Sequence, residues 1–307
     1  GEGDGHFIAD RNGIARGWMD HALWPQMTTK LYIDQTGDVA ILNRQAPYFK
    51  DAQAMRGTAI DGDYRPEQGC WQTDGTGQTY TGTILEHLLI QQLAAFYEVG
   101  EHNICRLRGA DWNDALDMAP ERGESVAFTC AYAGNLRELA GLIRLLEART
   151  GVRTAEMLEE LSVLLEGEPG CFDDPAAKNR ILEKYAGMCR HQVSGRRVQF
   201  SLNKLAASLE EKADWLTGWL RAHEWIGAGD GEGWYNSYYD NHGQAVEGIF
   251  PSGVRMMLTG QVFAIMGGVA GDGQVEQITR AADHYLYRPE IGGYRLNTDF
   301  HELKFDL

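Results

Sequence analysis

The chain has 307 residues, with 28 Lys+Arg against 44 Asp+Glu and a formal net charge of −16. Its length suits one large or two ordinary domains, and a hydrophobic fraction of 43% is too high for a disordered chain. The negative charge argues against nucleic acid or an anionic membrane surface as partner, and no apolar run nears the roughly 20 residues of a spanning helix.

The start, Gly1-Glu2-Gly3-Asp4-Gly5-His6, is polar, lacks an initiator Met and carries no signal-peptide pattern. Together with the end, Lys304-Phe305-Asp306-Leu307, it reads as a cut through a longer chain. Apolar residues at the helical period predict helices over 19–36, 83–99, 124–149, 154–166, 175–190, 201–226, 254–270 and 273–287. Gly37, Gly100 and Gly151 stand where such helices would stop. Long polar connections rich in Gly and aromatics occupy 1–17, 50–82, 101–123 and 227–253, and long loops in a compact domain usually carry function. Strand-like runs are short, at Gln78–Thr81 and Arg197–Phe200. The pattern is all-α with minor β, an antiparallel helical array with its long loops gathered at one end. The stretch 152–212 is rich in charge, and is expected to be a solvated, variable outer-helix region.

Cys70, Cys105, Cys130, Cys171 and Cys189 are odd in number and widely spaced, so free thiols in a reducing cytoplasm are expected. His6, His21, His87 and His102 lack ligand spacing, and no metal site is expected. His87 is expected to be structural, and Trp215, Trp219 and Trp225 to be core.

Chemistry concentrates in Arg106–Asp117. Asp111, Asp114 and Asp117 stand beside Trp112 and Asn113. A sugar site needs such a set: the CH face of a pyranose stacks on an indole, and carboxylates accept hydroxyl protons. A carboxyl held against Trp is desolvated, which raises its pKa and suits it to general-acid work. An oxygen-rich calcium loop is the competing reading, but the EF-hand spacing and its Gly are missing. Helix capping by Asp111 or Asp114 is another. Glu124 opens a helix, where it could cap or bind. Glu247 could serve as a base or a sugar ligand, Gln261 could point a polar group at the site, and Trp234 could stack on a sugar.

Asp111-Trp112-Asn113-Asp114 followed by Gly123-Glu124-Ser125-Val126 resembles glycoside hydrolase family 94, the cellobiose, chitobiose and β-oligoglucan phosphorylases. Asp20–Pro25, Thr36-Gly37-Asp38, Tyr238–Gly243 and Gly260-Gln261 resemble further segments of that family, so the likeness runs from about residue 5 to 300. It implies an (α/α)6 barrel, incomplete here, with flanking β domains outside the chain. It makes Asp114 the general acid, and places Trp112, Asn113 and Asp111 about the sugar. Arg16 and Asp20 match the pair that holds the non-reducing sugar. His21 stands where the family often has a second Asp, which leaves Arg11 as a rival to Arg16. The implied reaction is inverting phosphorolysis of a β-glucoside to α-glucose 1-phosphate. Inorganic phosphate is the co-substrate and no cofactor is needed. Phosphate-holding residues are expected beyond Leu307, so the chain alone is expected to be weakly active or inactive. The partners implied are a β-linked gluco-oligosaccharide and phosphate, with a homodimer allowed for the full-length protein. Two other classes stay open: inverting hydrolysis with Glu247 or Glu302 as base, and a non-catalytic glycan-binding module.

Overall fold

A computed structural model describes residues 19–54, 59–108, 111–112, 119–167 and 170–301. Among them are eight α-helices and seven two-stranded antiparallel sheets, so the chain is helical with small β-hairpins set in its connections. No helix among the described residues is long and apolar enough to cross a membrane. The chain divides into two compact units, residues 1–98 with 138–210, and residues 99–137 with 211–307.

In the first unit, α1 (Leu23–Thr36) begins four residues later than its apolar pattern suggests. Pro25 is the reason. A helix starting at 19 would need a donor at Pro25, whereas a start at Leu23 leaves it in the first turn, where no donor is required. Gly37 closes the helix with φ of 72° and an N–H bonded to the Ile33 carbonyl. Helix α2 (Ile84–Tyr97) is capped by Thr83, whose hydroxyl accepts the Glu86 N–H at 3.1 Å. Its Leu85, Leu88, Leu89, Leu93 and Phe96 are buried, each contributing roughly 1.5–3 kcal/mol of burial. They pack among α1, α4 (Ser162–Glu166) and α5 (Pro175–Cys189). Helix α5 starts on Asp174 as cap and Pro175 as first residue.

The helix expected over 154–166 is corrected. Thr154–Leu158 is a strand (β6) paired in full register with Arg197–Ser201 (β7), and only Ser162–Glu166 is α-helical. The local sequence Glu-Met-Leu-Glu-Glu favours a helix, but five paired residues and burial of Met157 and Leu158 outweigh that propensity. Most acids of 152–212 are exposed or half-buried. Glu160 is the exception, 2% exposed, with its carboxylate accepting the Ser194 hydroxyl at 3.0 Å.

Helix α3 (Val126–Thr150), which belongs to the second unit up to Arg137, enters through residues that are buried without a break from Val126 to Ala133. A helix apolar on all sides must lie inside. Close packing needs glycine here: a Cβ on Gly267 would lie 2.1 Å from the Cys130 carbonyl, and one on Gly134 would lie 2.8 Å from Gly267 Cα. Helix α6 (Leu202–His223) ends three residues short of the expected 226, because Trp225–Gly229 (β8) pairs with Glu232–Tyr235 (β9). Likewise α7 (Leu258–Met266) starts after the hairpin of β11 (Gly248–Phe250) and β12 (Gly253–Arg255). Helix α8 (Asp272–Tyr285) packs on β9 and α7. All five cysteines are free thiols.

Candidate active site

The site grows from Ser125. Glu124–Ser125 (β5) pairs with Tyr238–Tyr239 (β10), which joins two of the segments the sequence had singled out. Ser125 Oγ accepts the Phe128 N–H at 3.2 Å, the bond of an N-cap, and donates to Asp111 Oδ2 at 3.0 Å. Asp111 is completely buried, so the start of the Asp-Trp-Asn-Asp run is tied to the first turn of α3. The next side chain, Trp112, is 44% exposed. Asn113 and Asp114 lie outside the described residues, as do Arg11, Arg16 and Glu302.

Asn241 braces the same region. Its Oδ1 accepts the backbone N–H groups of Glu121 and Arg122, each at 3.0 Å. Arg122 in turn holds Glu101 through two bonds of 2.5 and 2.8 Å. A side chain at Gly243, where φ is 73°, would meet the Arg122 guanidinium at 2.4 Å.

Glu124 is also fully buried, and its carboxylate is spent on protein. It accepts the His102 N–H at 3.1 Å, the Ile104 N–H at 3.4 Å, and lies 2.5 Å from His102 Nδ1. Burial pushes its carboxyl up, against the pull of His102. His102 stacks on Tyr239 at 3.6 Å between ring centres. The Tyr239 hydroxyl donates to both oxygens of Glu224 at 3.1 Å. Glu224 is 2% exposed, and burial pushes it up to about 7. The chain Glu124–His102–Tyr239–Glu224 was missed in sequence. A solitary Glu after a helix, at Glu224, carries no local signal of this role.

A second cluster holds Glu247 and Gln261. Glu247 is 3% exposed, and its oxygens accept the N–H groups of Ser237 and of Met257, the latter at 2.5 Å. Burial pushes it up to about 8 despite those bonds. Gln261 clamps backbone: Oε1 accepts the Tyr235 N–H at 2.8 Å, and Nε2 donates to the carbonyls of Tyr235 and Met257 at 2.8 and 3.0 Å. Both residues therefore meet at Met257. Between this cluster and Asp111 lies Tyr238, fully buried, whose hydroxyl is raised well above its ordinary value by burial and then by the Asp111 charge.

Trp234 is corrected. It is completely buried in a core of Met256, Ala281, Ala282 and Leu286, and neither ring face is open to a sugar. Trp215, Trp219 and Trp225 are half-buried rather than core, and Trp219 Nε1 donates to the His102 carbonyl at 3.0 Å. His87 is structural as expected: it stacks on Tyr48 at 3.7 Å, with Nε2 3.1 Å from the Ala46 carbonyl. In the first unit, Asp20 is 4% exposed; its Oδ2 accepts Trp24 Nε1–H at 2.8 Å, while Oδ1 is buried with no partner among the described residues. A buried carboxylate oxygen without a donor is costly, and a ligand hydroxyl would satisfy it.

Residues 72–162, which include α2, the Asp111-Trp112 segment and α3, match the family described as Glycosyl hydrolase 94 superfamily, catalytic domain. That is the family its motifs resemble, and the match covers under a third of the chain. Among curated proteins it is similar to a solabiose phosphorylase of Paenibacillus borealis, 24% identical over 284 residues. The alignment covers 89% of this chain and 26% of that relative, so the chain spans a minor part of the relative's length.

Proposed function

We propose that the chain is the acid-bearing part of an (α/α)6 catalytic barrel that performs inverting phosphorolysis of a β-glucoside. Asp114 protonates the glycosidic oxygen as the bond to the anomeric carbon breaks, and a phosphate oxygen attacks that carbon from the opposite face. The products are α-glucose 1-phosphate and a shortened acceptor. An inverting hydrolase needs a second carboxylate to activate water, whereas phosphate arrives already anionic, so one acid suffices. Trp112 stacks on the sugar, and Asn113 takes its hydroxyls. Asp111, Glu124, Glu247 and Gln261 act as supports that fix the loops.

The observation that carries this reading is the buried Asp111–Ser125 bond, with the exposed Trp112 as the next residue. It fixes Asp111, three residues before the acid. Glu247 speaks against hydrolysis with that residue as base: both oxygens are taken by backbone N–H groups, and the side chain does not reach solvent. The test is to incubate the protein carrying residues 1–307 with β-linked gluco-oligosaccharides and with solabiose, with and without phosphate. Glucose 1-phosphate formed only with phosphate is expected. Free glucose released without phosphate overturns the proposal.

A further inference from the structure

Outside the residues discussed so far, the first unit contains a pocket of about 210 Å³ lined by Lys50, Tyr64, Gln68, Trp71, His191 and Gln192, among others. It is smaller than the roughly 300–1,000 Å³ of a drug-sized ligand site, and it suits a single ring. Its walls are built, not incidental. Asp61, 3% exposed, stands behind it and accepts from Lys50 Nζ at 2.6 Å, with His191 Nδ1 at 3.0 Å. Burial pushes the Asp61 carboxyl up, but these bonds, the Asp63 N–H and the Lys50 charge together hold it down to about 2. On the rim, Asp74 Oδ1 accepts the N–H groups of Thr76 and Gln78 and the Thr76 hydroxyl, which fixes the turn that ends at Gly77.

Asp61, Asp63 and His191 have ligand-type atoms within 4.8 Å of one another, an arrangement that could hold a metal ion. Here Lys50 already supplies the positive charge at the shared Asp61 oxygen. The same pairing speaks against an anion, because Lys50 is neutralised and Asp63 adds further negative charge. What the pocket's lining offers is short-range hydrogen bonding, its one ammonium already balanced by Asp61. An ammonium has three donors, of which Asp61 and the Arg190 carbonyl take two. In the neutral ring with Nδ1–H turned to Asp61, His191 Nε2 is an acceptor. Trp71 is 46% exposed and supplies an indole face. A flat aromatic with one donor and one acceptor beside it, plus amide side chains, recognises a neutral polyhydroxylated ring.

We propose that this pocket is a second carbohydrate-binding site that takes one neutral hexopyranose unit, stacked on Trp71 and hydrogen-bonded by Lys50 and His191. None of its residues belongs to the phosphorolytic site, so the two assignments stand or fall separately.

The test reads Trp71 directly. In an amide-proton NMR spectrum of the chain, the Trp71 indole peak is assigned by its loss in Trp71→Phe. Titration with D-glucose and with cellotriose is expected to shift that peak saturably. His191→Ala is expected to raise the midpoint about tenfold, as loss of a hydrogen bond plus its orienting partner would; the remaining indole peaks check its fold. Asp114→Asn leaves the shift unchanged, which separates this site from the catalytic one. Inorganic phosphate leaves the peak in place. No saturable shift with either sugar, or a shift with phosphate in place of sugar, overturns the proposal.

Discussion

Glu86 and Glu124 are both completely buried, one in each compact unit, and their partners differ. Glu86 accepts the Tyr48 hydroxyl at 2.7 Å, the Tyr80 hydroxyl at 3.2 Å and the Leu158 N–H at 2.8 Å. Burial, together with the Glu86 charge, raises both tyrosines far above neutrality, so these donors keep their protons at any working pH. Glu124 instead faces His102, and its neighbour Glu224 sits at about 7. The first unit thus uses a buried carboxylate as a fixed scaffold joint. The second links Glu224, pushed up to about 7, through Tyr239 and His102 to Glu124, next to the Ser125 that holds Asp111. A perturbed carboxylate is a pointer to function only with such geometry beside it.

Five substitutions sharpen this contrast. The largest effect is expected from Glu86→Ala, which strands two tyrosine hydroxyls and a backbone N–H in the core. It should cost about 3–5 kcal/mol in a denaturant melt; a loss below about 1 kcal/mol would deny Glu86 its role as a joint. Next, Gly267→Ala forces a methyl against the Cys130 carbonyl and should cost about 1–3 kcal/mol by the same measurement.

Glu224→Gln tests the titrating side. The Glu224 pKa is raised by folding, so the native state binds its proton more tightly than the unfolded chain does. Its contribution is complete below the ordinary carboxyl range and is lost as pH rises through about 7. The variant should therefore gain on the wild type as pH rises from 5 to 8, by on the order of 1–3 kcal/mol. Tyr80→Phe should show no such slope, since the lost hydroxyl does not ionise in that range. Equal slopes in the two variants would erase the distinction between the units. The smallest effect on stability belongs to Trp112→Ala, within about 0.5 kcal/mol because the ring is exposed, while sugar affinity falls about tenfold.

Much of this was legible in the sequence where the information is local. The 3.6-residue period located the helices, and Gly37 and Gly151, both at φ of 72°, mark two of their ends. From the motifs at 111–114, 123–126 and 238–243 the fold ties Asp111 to Ser125, pairs Glu124-Ser125 with Tyr238-Tyr239, and bonds Asn241 to the Glu121 backbone. What was not legible depends on distant partners. Thr154–Leu158 becomes a strand only because Arg197–Ser201 lies beside it. Trp234 looks like a loop aromatic until Met256 and Leu286 close over it. Glu224 acquires its pKa from burial and from Tyr239, neither of which a lone Glu announces.

The central claim is that Asp114 donates the proton that releases the leaving sugar. The most direct test is the rate of glucose 1-phosphate formation from a β-linked gluco-oligosaccharide and phosphate, in the protein carrying this chain and in its Asp114→Asn form. The account predicts a fall of about 10²–10⁴-fold in kcat, with sugar binding kept. Turnover undiminished in Asp114→Asn would contradict it.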